Sequence, residues 1–169
     1  IRRGDTWPQS DHITWVFPGT TMTEKDEITV EWFDGLFYPP AEVQALVPTK
    51  PYPHESAMVI GTEGAIILPN GGMPTLLPPE KFKSIKAPKL EPRDHYHHFC
   101  DAIHGEAENE SYFEQTGPMT EAILLGTVAI RTPDTLLKWN PGRMEITNHS
   151  AANGLLSRQY RKGWSVAGF

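Results

Sequence analysis

The sequence is poor in cysteine, in long apolar runs and in positive charge. Its one cysteine, Cys100, excludes an internal disulfide and a zinc site made of several thiolates. No apolar run exceeds the four residues of 65–68 and 122–125, whereas a membrane-spanning helix needs about 20. The net charge is -6, so phosphate backbones and anionic membrane surfaces are poor partners for this chain. We therefore expect neither a nucleic acid nor a membrane among its partners.

Glycine and proline, by contrast, are abundant. The chain has 14 glycines and 16 prolines, about 18% of its residues against about 12% in average proteins. This composition favours turns and loops over long helices. Because 38% of the residues are hydrophobic and 21% are charged, the chain is typical of proteins that fold around a core rather than of disordered ones.

Alternating apolar residues in the first half of the chain predict strands. In the first two strands, three apolar side chains share one face, which is typical of an antiparallel pair with one covered side. The next two flank a short turn at 62–64 and predict a tight hairpin. Five prolines between residues 35 and 56 predict a long irregular connection with one helical turn at 41–46. The predicted strands are 12–17, 27–34, 57–61, 65–68 and 75–78.

In the second half the apolar spacing lengthens to that of helices. One helix is predicted to follow Asp94 as its N-cap and to end at Gly105. A second is predicted from 116 to 131, with Pro118 in its first turn, where a missing N–H costs nothing. This second helix is apolar on almost every side, so we expect it to lie between two layers. The apolar face of the first helix consists of Tyr96, Phe99, Cys100 and Ile103, which predicts a buried, inert thiol.

Strands come first and helices later, and this order predicts an α+β fold. We expect a mostly antiparallel open sheet with two or three helices packed on one side, in a single domain over residues 1–169. Residues 136–139 and 143–147 should form short extended pieces, and 151–160 a terminal helix.

The densest group of titratable side chains lies on the first predicted helix. A carboxylate and an imidazole stand four residues apart in two pairs, Asp94 with His98 and His97 with Asp101. A carboxylate beside a histidine orients the ring and raises its pKa, which suits a general acid or base or a substrate-binding face. The alternative is a capping residue followed by solvated polar positions. The candidate pocket residues are Arg93, His95, His97, His98 and Asp101.

Other chemical signals are weak. One helix with two histidines and two aspartates does not provide a known metal-ligand pattern. Glu80 and Lys81 are neighbours on an extended segment and should point to opposite sides, into solvent. The sequence contains neither G-x-S-x-G nor a glycine-rich phosphate loop. Its five tryptophans could stack on sugar rings if exposed, although aromatic strand faces are more often core or subunit interface.

Six segments, taken in their order and spacing, carry a resemblance to a known family. They are WVFPG (15–19), VEWFDG (30–35), LLPPEKF (76–82), FCDAIHG (99–105), GPMTEAILLG (117–126) and RQYRKGW (158–164). Together they resemble the C-terminal domain of the Gfo/Idh/MocA oxidoreductases, in the bacterial subgroup with a distinct C-terminal module. The resemblance covers nearly the whole chain.

The resemblance implies a two-domain enzyme whose N-terminal Rossmann domain binds NAD or NADP and is absent from this chain. It also implies that the α+β domain shapes a pocket for a sugar, polyol or related hydroxy compound and builds a homo-oligomer through its sheet. The family's catalytic D-x-x-x-H would lie upstream of Ile1. Asp94 and His98 have the same spacing in another place, so neither receives a catalytic role, and the chain alone is expected to be inactive.

Two other interpretations stay open at this point. The chain could be a non-catalytic carbohydrate-binding or assembly module that uses an exposed aromatic sheet, or a scaffold fragment with no ligand. The sequence leaves the compartment open between cytoplasm and periplasm.

Overall fold

The computed structural model describes residues 7–165, and their contacts divide the chain into two compact units. Unit 1 is discontinuous, because unit 2 occupies two intervening stretches of the sequence. Among the described residues, unit 1 comprises 7–18, 27–37 and 109–165, and unit 2 comprises 19–26 and 38–108.

The described residues confirm the α+β class. All strand pairs are antiparallel and form three small open sheets, of two, three and two strands. None of the helices in this range combines the length and the hydropathy that a bilayer crossing requires. The strands are β1 His12–Pro18, β2 Glu27–Phe33, β3 Ser56–Ile60, β4 Ala65–Pro69, β5 Thr75–Leu77, β6 Trp139–Asn140 and β7 Glu145–Ile146. The helices are α1 Ala41–Ala45, α2 Pro79–Phe82, α3 His95–His104, α4 Phe113–Arg131 and α5 Ser150–Asn153.

In unit 1, β1 and β2 form a two-stranded ribbon with the predicted apolar face. Side chains directly opposite each other in an antiparallel pair lie on the same side of the sheet. The register therefore places both apolar sets on one face, as the alternation predicted. The facing pairs are Ile13 with Trp32, Trp15 with Val30 and Phe17 with Ile28.

Helix α4 packs on one end of this ribbon through Gly126. The indole of Trp15 lies against this glycine, and its Nε1 donates a hydrogen bond to the carbonyl oxygen of Ala122 at 2.8 Å. Ile13, the neighbouring residue on the same face, is buried. The close approach of α4 to the ribbon at Gly126 is therefore made by an aromatic ring.

The predicted start of α4 is wrong, because the helix begins at Phe113 and contains Pro118. The carbonyl oxygen of Tyr112 accepts hydrogen bonds from the backbone N–H groups of Gln115 and Thr116, which closes a turn before the proline. Proline removes one helical hydrogen bond. It does not prevent the preceding turn, so α4 extends beyond the predicted start.

A second small core in unit 1 joins α4 to β6, β7 and α5. Its buried members are Val128, Ile146 and Ala152. The helix predicted over 151–160 is wrong, because α5 ends at Asn153. The side chain of Asn153 exchanges two hydrogen bonds with the backbone of Ile146, at 2.7 and 2.8 Å. This residue ties the end of the helix to β7.

Unit 2 is built on the three-stranded sheet β3-β4-β5. Its core consists of Val47, Ala65, Ile67 and Leu77, with Tyr52 and Met58 packed against it. Helix α2 was not predicted. Lys81 lies in this helix rather than on an extended segment, and it is exposed, as expected. Its Nζ donates to the carbonyl oxygen and to a carboxylate oxygen of Glu63, both at 2.6 Å. The hydrogen bond from Lys81 to the carboxylate, and secondly the positive charge of Lys81, lower the pKa of Glu63.

Helix α3, also in unit 2, has both predicted ends. Asp94 accepts a hydrogen bond from the N–H of His97 at 2.8 Å, and Gly105 adopts the left-handed conformation, with φ of 79°. The predicted burial of its apolar face is wrong, because Tyr96 is 79% exposed and Cys100 is exposed as well. The less exposed side of α3 instead carries His98, Asp101 and Ala102.

A pair of carboxylates at one end of the ribbon makes unit 1 sensitive to pH. The backbone N–H of Asp34 donates to the carbonyl oxygen of Asp11 at 3.0 Å, and one carboxylate oxygen of Asp11 is buried with no hydrogen-bond partner among residues 7–165. Burial, and secondly the charge of Asp34, raise the pKa of Asp11. The folded protein therefore holds this proton more tightly than the unfolded chain. Its contribution to stability is complete below the unfolded pKa of about 3.9 and is lost as the pH rises through the folded pKa.

We expect Asp11→Asn to stabilise unit 1 near neutral pH by about 0.5 kcal/mol, because it removes the charge and keeps the backbone contact. The gain should disappear below about pH 3, where Asp11 is protonated in both the folded and the unfolded protein. Thermal unfolding at both pH values measures it, with Glu27→Gln, at an exposed carboxylate of unit 1, as control. An equal effect of both variants at neutral pH would attribute the gain to net charge alone.

Candidate functional site

The N-terminal turn of α3 fixes the first pair of candidate residues. Asp94 is the N-cap, so its carboxylate points at the backbone N–H of His97 and also lies 3.5 Å from the Nδ1 atom of that ring. The predicted pairing of Asp94 with His98 is not formed. The reason is physical, because a capping carboxylate accepts from the residue three positions later and cannot extend along the helix at the same time.

His98 is paired with an arginine instead. The Nη1 atom of Arg93 lies 3.5 Å from Nε2 of His98, at the upper limit of a hydrogen bond. Because a guanidinium only donates, Nε2 of His98 is the acceptor in this contact. Both groups can form hydrogen bonds to a hydroxyl or an anion, since the guanidinium and the imidazole lie next to each other.

The remaining two candidates are separated from each other. Asp101 is half-buried one turn after His98, and within residues 7–165 no hydrogen bond or ion pair joins its carboxylate to His97. The ring of His95 packs edge-on against Tyr96, with centroids 5.4 Å apart. The structure therefore brings together Arg93 with His98 and Asp94 with His97, while His95 and Asp101 stand apart from these pairs.

The arrangement suits hydrogen bonding to a ligand more than metal chemistry. Across residues 7–165, no group of three or more His, Cys, Asp or Glu side chains has the geometry to hold a metal ion. The imidazoles and the carboxylate can accept or donate protons to hydroxyl groups of a bound molecule.

The part of the β1–β2 ribbon that α4 leaves exposed is a second candidate surface. Trp32 is 56% exposed, and its neighbours Val30 and Ile28 on the same face are exposed too. A flat aromatic and aliphatic face of this kind is suited to stacking or to covering by another protein surface.

The segment 158–164 contains side chains whose contacts the sequence did not predict. The structure stacks Arg161 on Trp164 and places Arg158 over Tyr160. The alternation of arginine and aromatic residues in the sequence could have indicated these contacts. The predicted helix over 151–160 did not include them.

The described residues do not fit a dinucleotide. A nicotinamide dinucleotide is normally held by a parallel strand, a glycine-rich turn and a helix N-terminus. In residues 7–165 every paired strand is antiparallel, and the sequence has no G-x-G-x-x-G. The chain matched no protein-family model, no curated protein and no solved structure.

Proposed function

We propose that this chain is the substrate-side and oligomerisation domain of an NAD(P)-dependent oxidoreductase that acts on a sugar, polyol or related hydroxy compound. The observation that carries the proposal is the amount of apolar surface that each unit leaves open. In unit 1 this surface is the face of the ribbon around Trp32, and in unit 2 it is the face of α3 around Tyr96 and Phe99. Contiguous apolar faces of this kind normally mark surfaces that another protein or domain covers.

The cofactor belongs to another domain in this proposal, because the described residues do not fit it. NAD or NADP would supply the hydride acceptor. The side chains of α3 would bind and orient the hydroxyl groups of the substrate, with His98 and Asp101 on the less exposed side of the helix and Arg93 beside His98. Positioning of this kind raises the rate by holding the reacting carbon in the correct geometry.

The complete gene product tests this proposal. We expect its mass to exceed that of this chain by a domain of roughly 100 to 200 residues, and we expect it to reduce NAD or NADP with at least one member of a panel of sugars and polyols. A gene product that binds no nicotinamide cofactor, or that has no additional domain, would contradict the proposal.

Within the complete protein, His98→Ala and Asp101→Asn are expected to lower kcat/KM by about 10- to 100-fold, because each removes a hydrogen-bonding group from the substrate side of α3. The exposed Glu108→Gln is the control and should change kcat/KM by less than about twofold. Initial rates of nicotinamide reduction measure the effect. If all three variants behave as the wild type, α3 does not contact the substrate.

A non-catalytic carbohydrate-binding or assembly module is the second candidate, and the exposure of Trp32 favours it. In this case, titration with sugars in the absence of cofactor should shift the tryptophan fluorescence and saturate. Trp32→Ala should abolish the shift. Saturable binding that survives this substitution would argue against the ribbon as the binding face.

A further inference from the structure

The segment 158–164 in unit 1 holds two arginine–aromatic stacks side by side. The Cζ atom of Arg161 is 4.0 Å from the centroid of the Trp164 ring, and that of Arg158 is 5.5 Å from the centroid of Tyr160. Both distances are within the range of cation–π contacts, which is about 6 Å. A backbone hydrogen bond from the N–H of Trp164 to the carbonyl oxygen of Arg161, at 3.0 Å, closes the turn that brings the first pair together.

Gly163 makes this turn possible. Its φ is 84°, in the left-handed region that glycine adopts without strain. The stack of Arg161 on Trp164 thus rests on a local turn.

The charge of this segment is the opposite of the charge of the chain. The protein has a net charge of -6, yet no Asp or Glu follows Glu145 in the sequence. Among residues 7–165, no carboxylate forms an ion pair with Arg158 or Arg161. The two guanidinium groups therefore keep their charge available to a ligand.

A guanidinium group stacked on an aromatic ring is well suited to bind an oxyanion. Stacking occupies the flat face of the group and leaves its in-plane N–H donors exposed, and these donors match the two oxygens of a carboxylate or phosphate. An open cleft of about 630 Å³ lies beside them, within the usual size range of small-molecule sites. Its lining residues are Arg158, Gln159, Tyr160, Arg161 and Trp164.

We propose that this cleft binds a small organic anion that carries a phosphate or carboxylate group on a ring-shaped body. Arg158 and Arg161 bind the oxyanion. The exposed rings of Tyr160 and Trp164 receive the flat side of the ligand, and Gln159 offers an amide to a hydroxyl group. The inference needs no nicotinamide and does not depend on the proposed function.

Calorimetric titration of the complete protein, without cofactor, tests the site. The probes are glucose 6-phosphate, glucuronate, glucose and inorganic phosphate. We expect at least one of the two anionic sugars to bind. Glucose should not bind at this site, and inorganic phosphate should bind at least about 10-fold more weakly, because it lacks the ring. The preference between the two anionic sugars identifies phosphate or carboxylate as the natural group.

Variants assign the binding to the cleft. Arg161→Gln is expected to weaken binding of the preferred anionic sugar by at least about 10-fold, and Arg161→Lys by less, since lysine keeps the charge but not the planar pair of donors. Trp164→Leu tests the platform separately and should weaken the sugar anions more than inorganic phosphate. Arg143→Gln is the matched control, because this arginine lies elsewhere in unit 1 and is already paired with Glu145 at 3.0 Å.

Two outcomes would overturn the proposal. One is that neither anionic sugar binds, or that Arg161→Gln and Trp164→Leu both bind as the wild type does while remaining folded by circular dichroism. The other is that a short single-stranded oligonucleotide binds more tightly than either sugar anion and loses its affinity in Arg161→Gln. That result would assign the arginines and aromatic rings to a nucleic-acid surface.

Discussion

Replacement of Gly126 by alanine is expected to destabilise unit 1 by about 1–3 kcal/mol. A Cβ atom at this position would lie 2.5 Å from Cζ2 of Trp15 and 3.4 Å from the terminal methyl group of Ile13. The indole cannot move away freely, because its Nε1 is bonded to the carbonyl oxygen of Ala122 on the same helix. The overlap therefore has to be relieved by separating α4 from the ribbon, and this loss exceeds the gain in helix propensity of about 1 kcal/mol.

Gly117 offers a control on the same helix. Apart from its chain neighbours, nothing lies within 4 Å of a Cβ atom built there. The following Pro118 disfavours the helical conformation for a residue with a Cβ, which offsets the gain in helix propensity, so Gly117→Ala should change the stability of unit 1 by less than about 1 kcal/mol. The same substitution thus has a large effect at one position of α4 and a small one at the other. Urea unfolding followed by tryptophan fluorescence measures both, since Trp15 lies at the contact. A small effect at both positions would show that α4 does not pack on Trp15.

Replacement of Ile67 by alanine is expected to destabilise unit 2 by about 2–4 kcal/mol. The side chain is 6% exposed and lies in the core with Val47 and Leu77, so its removal leaves a cavity between the sheet and the segment that follows α1. Leu68, the next residue of β4, points to the other face of the sheet and is 38% exposed. Leu68→Ala should therefore cost less than about 1 kcal/mol.

The measurement for unit 2 has to differ from that for unit 1. All five tryptophans belong to unit 1, so their fluorescence does not report directly on the core around Ile67. Amide hydrogen exchange of β3 and β4 provides the readout, because it gives the free energy of opening for each strand. Equal losses of protection for Ile67→Ala and Leu68→Ala would contradict the assigned register, in which only one of them faces the core.

The strands were predictable because the alternation of apolar residues, the turn residues and the pairing register all follow from one requirement, the burial of one face of the sheet. In β1 and β2 the alternation assigns one face, and antiparallel pairing then brings the two apolar sets together. Helix α3 was predictable for a similar reason, since Asp94 and Gly105 bond to the backbone locally. The start of α4 and the end of α5 were not, because they depend on hydrogen bonds accepted by the carbonyl oxygen of Tyr112 and by the side chain of Asn153, which no apolar pattern reveals.

The sequence predicted which residues form the cluster on α3, but not which of them contact each other. Spacing along a helix indicates which side chains lie on the same side. A side chain at the helix end, however, can accept a hydrogen bond from the backbone instead, as that of Asp94 does. The side of α3 that is exposed also cannot be read from its periodicity. The stack of Arg161 on Trp164 depends on the conformation of Gly163, which sequence spacing leaves open.

The interrupted order of unit 1 has a consequence for synthesis on the ribosome. The hydrogen bond from Trp15 to Ala122 joins residues separated by 107 positions, and all of 38–108 in unit 2 is translated between them. Unit 2 can therefore complete its core first, since its buried residues lie between Val47 and Leu77. During this interval the nascent ribbon has no α4 to cover Ile13 and Trp15. This is the stage at which a chaperone that recognises apolar strands would act on the growing chain.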